Sequence, residues 1–127
     1  MVVSMKKEVE VCQVNKALDI IVGKWKPIIL LHLFENGTMR FNELKRSMPG
    51  ITQKMLTQQL RELEEEDLIH REVYPQVPPK VEYSITEHGK TIEPILEAMH
   101  EWGAAHLVHK YHKAIQDAKL SERAGES

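Results

Sequence analysis

The chain has 127 residues, 42% of them hydrophobic and 28% charged, which describes one ordinary globular domain with a real core and an appended arm. No apolar run approaches the roughly eighteen residues of a membrane span, and MVVSMKKEVE lacks the apolar stretch of a secretory signal, so a cytoplasmic protein without membrane association is expected. The single cysteine, Cys12, excludes an intrachain disulfide and a thiolate-rich zinc site, and a net charge of -2 weighs against nucleic acid as a partner unless positive charge is gathered on one face.

Residues 1–13 read as an N-terminal arm. Asn15 to Val22 then form a short helix with Leu18, Ile21 and Val22 apolar, ended by Gly23. In KWKPIILLHLFEN, the apolar residues from Trp25 to Phe34 surround the helix almost completely, which predicts a buried central helix. Pro27 is tolerated in its first turn and Asn36-Gly37 stops it. Thr38 to Arg40 is a candidate short strand, and RFNELKRSM a two-turn helix with Phe41, Leu44 and Met48 on one face.

A Pro49-Gly50 turn leads into the next helix, with Thr52 as its N-cap. Leu56, Leu60 and Leu63 share one stripe flanked by Met55, while Lys54, Thr57, Gln58 and Arg61 fall on the opposite side. Arginine, lysine and glutamine are the side chains that read base edges. Taken alone, such a helix is more often an ordinary amphipathic helix with a solvated polar face. Its neighbours change the reading, because two short helices joined by a glycine-bearing turn form a helix-turn-helix.

From Lys24 to Lys80 there are nine Lys/Arg against eight Asp/Glu, and five of those acids lie in Glu62 to Asp67. The charge is therefore polarised, and a DNA-binding face must use the front of the helix. Arg61 stands at the border, where Glu65 one turn on is a competing partner. Beyond Asp67 the period becomes that of strands. IHREVY and VEYSI alternate, and the proline-rich PQVPPK between them is an extended loop. Two strands after a helix-turn-helix are a wing, and Arg71 and Lys80 are its candidate phosphate contacts.

Helical spacing returns after Thr86, the expected N-cap of a helix of some twenty residues whose apolar stripe runs from Ile92 to Leu107. Pro94 falls inside that span, where a kink or a break is expected. A second copy of the chain is the economical cover for the stripe. The fold class is thus mainly α with a small β-hairpin wing (a winged helix-turn-helix), plus N- and C-terminal dimerisation helices. Its expected divisions are an arm (1–13), a DNA-binding domain (14–86), a dimerisation helix (87–120) and a polar tail (121–127).

The order of these elements, together with L-D-I-I-V-G-K-W-K (18–26) after Cys12, R-F-N-E-L (40–44), G-I-T-Q-K-M-L-T-Q-Q-L-R-E-L (50–63), Y-S-I-T-E-H-G (83–89) and the Pro94-to-Trp102 spacing, resembles the HxlR-type winged helix-turn-helix transcriptional regulators, relatives of the MarR group. The resemblance covers roughly residues 11 to 105. It implies a cytoplasmic homodimer on a palindromic operator in double-stranded DNA. By position, Thr52, Gln53, Lys54, Thr57, Gln58 and Arg61 would contact bases or phosphates, Arg40 and Lys45 the backbone, and Arg71 and Lys80 would act from the wing. Leu18, Ile95, Met99, Trp102 and His106 would lie in the dimer interface.

In that family a cysteine just before the first helix is frequent, and in some members it senses oxidants, quinones or aldehydes. Cys12 is accordingly a candidate redox sensor for an oxidant or small electrophile, near helix amides that lower a thiol pKa. The competing reading is a small buried hydrophobe at a dimer contact. Gln13 stands where many relatives have proline.

No cofactor is expected. His100, His106, His109 and His112 fall in the last helix, but no carboxylate completes a recognisable metal site there. G-x-S-x-G and phosphate-loop motifs are absent, so an enzyme is not expected. The rival from another class is a winged-helix protein-interaction module without DNA binding, for which the negative net charge is the best argument.

Overall fold

Helix α4 (Gln53–Glu65) is built from the inside outward: Leu56, Leu60 and Leu63 are all but inaccessible to solvent, and its polar residues take the other side. The structure, a computed structural model, describes residues 13–21 and 23–126. The elements before α4 are α1 (Gln13–Ile21), α2 (Lys26–Asn36), β1 (Met39–Arg40) and α3 (Phe41–Ser47). After it come β2 (Ile69–Tyr74), β3 (Lys80–Ile85), a 3-10 turn (Gly89–Ile92) and α5 (Glu93–Glu126). This is the expected winged helix-turn-helix architecture. The residues fall into two units that divide between Ile92 and Glu93.

In the first unit, the strands form an antiparallel sheet in the order β1-β3-β2. The pairs Ile69 with Ile85, Arg71 with Tyr83, and Val73 with Val81 put the alternating residues of both wing strands on one face. That face is buried at Ile69 and Tyr83 and opens toward the tip, where Val73 is exposed. β1 adds Met39 opposite Tyr83. Leu30, Leu33, Leu44 and Leu56 complete the core from three helices. Each contributes about 1.5–3 kcal/mol relative to an exposed position.

α2 is less enclosed than its all-round apolar sequence predicts. Ile29, Leu30 and Leu33 are buried, but Leu31 is 40% exposed. The helix has packing partners in β3, α3 and α4, and these cover only part of its circumference.

α4 ends in a Schellman arrangement: the Leu68 amide donates to the Leu63 carbonyl and the Asp67 amide to that of Glu64. Asp67 takes the left-handed conformation (φ 58°) that glycine usually supplies. The Thr86 hydroxyl donates to the Asp67 carbonyl at 2.6 Å, tying the end of α4 to the end of the wing. Gly89 is required at its position, because a Cβ there would run into the Leu68 carbonyl oxygen.

Three boundaries differ from the expectation. α1 begins at Gln13, inside the segment expected to be an arm. Thr86 caps the 3-10 turn rather than a long helix: its Oγ1 accepts from the Gly89 amide at 2.8 Å and its carbonyl from Lys90 at 3.1 Å. α5 therefore starts only at Glu93, and Pro94 lies in its first turn, where the missing N–H costs no hydrogen bond and no interior kink arises.

The second unit is α5 itself. Its 34 residues span about 51 Å at the usual helical rise, and it continues through residues expected as a polar tail. Ile95, Met99 and Trp102 project from it exposed, as do Leu107, Val108 and Tyr111 farther along. None of the helices among the described residues is long and apolar enough to cross a membrane.

Candidate nucleic-acid interface

The Thr52 side chain starts the interface by starting the helix. Its Oγ1 accepts from the Met55 amide at 3.1 Å, an N-cap that leaves the hydroxyl hydrogen free to donate. Gln53, Lys54, Thr57, Gln58 and Arg61 then line one shallow groove of about 490 Å³ on the outer side of α4. The structure thus brings five of the sequence-predicted residues onto one surface. Thr57 spends its hydroxyl hydrogen on the Gln53 carbonyl at 2.8 Å, so it presents a methyl group and lone pairs rather than a donor. Gln58 Nε2 donates to Glu62 Oε1 at 3.1 Å.

Among the described residues, Arg61 forms no ion pair with Glu65, so the competing partner at the border is not taken up. Arg61 instead also lines a second cleft, of about 340 Å³, with Phe41, Leu60, Glu64, Arg71 and Tyr83 among its walls. Two guanidinium groups thus face one recess between α4 and the wing. Tyr83 is the buried centre of the sheet. Burial pushes its hydroxyl above its ordinary value, and a hydrogen bond from Arg71 pulls it back. The arrangement suits an anionic oxygen, which guanidinium groups bind with charge-assisted hydrogen bonds.

The other predicted cations are dispersed. Lys45 is exposed on α3, and Arg40 precedes that helix, its amide donating to Glu43 Oε1 at 2.9 Å. Lys80 lies near the tip of the wing, 3.6 Å from Glu82 and 4.8 Å from the centroid of the Tyr74 ring. The Tyr74 hydroxyl donates to the Glu82 carboxylate, which raises its pKa. Both wing cations are thus held by their own wing, Lys80 beside Glu82 and Tyr74 near the tip and Arg71 against Tyr83 in the cleft.

One contributor was invisible in the sequence. Lys26 of α2 reaches Glu62 at 2.8 Å, with side-chain exposures of 13% and 37%. The hydrogen bond from Lys26 leads, and that from Gln58 follows, in holding the Glu62 carboxyl below its ordinary value. No helical spacing relates residues 26 and 62, so only the packing of α2 against α4 could find this pair.

The HxlR-like helix-turn-helix family profile matches residues 20–111. The chain belongs to this family. It is 53% identical over 115 residues to the HTH-type transcriptional regulator YdeP of Bacillus subtilis (strain 168), covering 91% of this chain and 85% of that one. It is 60% identical over 94 residues to YybR of the same organism, covering 74% of each. Among solved structures it is similar to the redox regulator HypR in its reduced form, at 57% identity and a TM-score of 0.71, over 74% of this chain and 92% of that one. The chain is thus a transcriptional regulator of the helix-turn-helix type.

The remaining residues predicted for this HxlR-like chain lie on α1 and α5. Leu18 is exposed on α1, and Ile95, Met99 and Trp102 are exposed on α5. His106 stacks on Trp102, with centroids 4.8 Å apart and planes within 8°. Among the described residues, no group of three or more His, Cys, Asp or Glu is arranged to hold a metal ion. Cys12 lies outside the described residues.

Proposed function

We propose that this regulator binds a palindromic operator in double-stranded DNA as a homodimer, in the cytoplasm, and that oxidants or small electrophiles act on it through Cys12. The observation that carries the DNA reading is the single exposed groove formed by Gln53, Lys54, Thr57, Gln58 and Arg61 on α4, next to a wing. In a helix-turn-helix protein this helix lies in the major groove, and a dimer places two such helices roughly 34–36 Å apart, one helical turn of DNA. The wing sets Arg71 beside the phosphate backbone, with Arg40 and Lys45 contributing from the preceding segment. The exposed apolar residues of α5 and Leu18 of α1 favour the homodimer.

For Cys12 the support is the likeness to the redox regulator HypR, solved in reduced and oxidised forms at 57% and 58% identity to this chain. With no second cysteine in the chain, modification means an intersubunit or mixed disulfide, or an adduct.

Footprinting on the DNA flanking the protein's own gene, with and without a thiol-reactive compound, tests both parts. Protection should appear at a two-fold symmetric site, weaken steeply with salt and be lost on thiol modification in wild type but not in Cys12→Ser. Arg61→Ala should weaken operator binding by about 1–3 kcal/mol while leaving folding intact. Salt-insensitive or absent protection would remove the DNA reading.

A further inference from the structure

Gln58 is a side chain of the α4 groove whose amide is already half committed. Its Nε2 donates to Glu62 Oε1 at 3.1 Å, and Glu62 Oε2 is held by Lys26 Nζ at 2.8 Å. We propose that Lys26 and Glu62 are positioning residues that fix the amide of Gln58, so that it selects adenine at one base pair of each half-site. The inference rests on the DNA-binding reading and concerns the base specificity of the same surface.

An unconstrained glutamine amide flips freely between an outward carbonyl and an outward amino group. An ionised carboxylate has no hydrogen to donate, so beside Glu62 the amide must turn its amino end inward. The Lys26 side chain, only 13% exposed, is the partner that holds the Glu62 carboxylate in place. Gln58 therefore keeps its oxygen, an acceptor, and the second hydrogen of its amino group for a ligand. Adenine presents the complementary pair in the major groove, N6 as donor and N7 as acceptor, whereas guanine presents two acceptors that would face the Gln58 oxygen. Lys26 also offsets the Glu62 charge. That explains how an acid can sit one turn from the reading face without repelling phosphate.

The test is selection from a random-sequence duplex pool by the full-length chain and its variants, each first shown by its cooperative thermal melt to be folded at the temperature of selection. Wild type should enrich a two-fold symmetric motif with an adenine preference on the order of tenfold at one pair, and Gln58→Ala should flatten that pair alone. Glu62→Gln supplies an amide that can donate or accept, so the Gln58 amide is released. The preference at that pair should fall to about threefold or less, with guanine newly admitted, while the rest of the motif and the salt dependence stay as in wild type. Lys26→Met should act in the same direction from the other end. A merely structural role for the Lys26–Glu62 pair would weaken all positions together.

If Gln58→Ala flattens a pair that Glu62→Gln and Lys26→Met leave intact, the positioning role is overturned while DNA binding stands. The positioning role is equally overturned if Gln58→Ala changes no pair. If wild type enriches no sequence, the DNA reading itself falls, and this inference with it.

Discussion

Helices α4 and α5 both carry apolar side chains at helical spacing, but among the described residues those of α4 are buried while several of α5 are exposed. On α4, Leu56, Leu60 and Leu63 are buried to 2% exposure or less. On α5, Ile95, Met99 and Trp102 are 51%, 47% and 68% exposed. Apolar residues at helical spacing thus have two outcomes: a helix anchored by its own domain, and a helix with exposed apolar side chains. In α4 the anchoring frees the opposite face for polar side chains that need not contribute to folding. In α5 the exposed stripe is the main physical argument for a second copy of the chain.

The sharpest way to break this contrast is to truncate one leucine from each helix. Leu56→Ala should cost about 2–5 kcal/mol, because it removes fully buried methyl groups from a packed core. Leu107→Ala, at a position 71% exposed, should leave the stability of the winged domain within about 0.5 kcal/mol of wild type. Urea denaturation measures both, and equal losses would erase the distinction. Next in size, Trp102→Ala should raise the dimer dissociation constant by about 30-fold, as loss of an aromatic anchor does. Sedimentation across a concentration series reads this directly; a wild-type chain that stays monomeric throughout would refute the role given to α5.

Smaller effects sharpen the account of α4. Thr52→Ala should destabilise the domain by about 1 kcal/mol through the lost N-cap, with Thr52→Ser restoring most of it in the same denaturation assay. The smallest effect is pH-dependent. The folded-state pKa of Glu62 lies below its ordinary 4.5, so its contribution is present above that value and is lost as pH falls through the depressed pKa. The stability difference between wild type and Glu62→Gln should therefore be modest near neutrality, because the pair is partly exposed. It should close in acid, and a difference that persists below the folded-state pKa would show that Lys26 does not act through the Glu62 charge.

Much of the fold was legible because its signals are local. Thr52 caps α4, and the bounds of α3 and both wing strands follow from apolar spacing and turn residues. The alternation in IHREVY and VEYSI anticipated which residues share a side within each strand, and the register then set Arg71 beside Tyr83. The grouping of Gln53, Lys54, Thr57, Gln58 and Arg61 is equally a consequence of helical period. The beginning of α5 was misplaced because Thr86 is a genuine cap, but of a short 3-10 turn, and nothing local distinguishes that from the start of a long helix.

By itself, then, the sequence determined the elements, their order and the polar face of α4, since each depends on residues within a few positions of one another. Only the tertiary structure decided that Leu31 stays partly exposed, that Gly89 must lack a side chain against the Leu68 carbonyl, and that Asp67 takes a left-handed turn tied to Thr86. It alone decided that Arg61 and Arg71 share a cleft and that Lys26 meets Glu62. Those outcomes depend on the distance between elements far apart in the chain, which packing sets and no periodicity records.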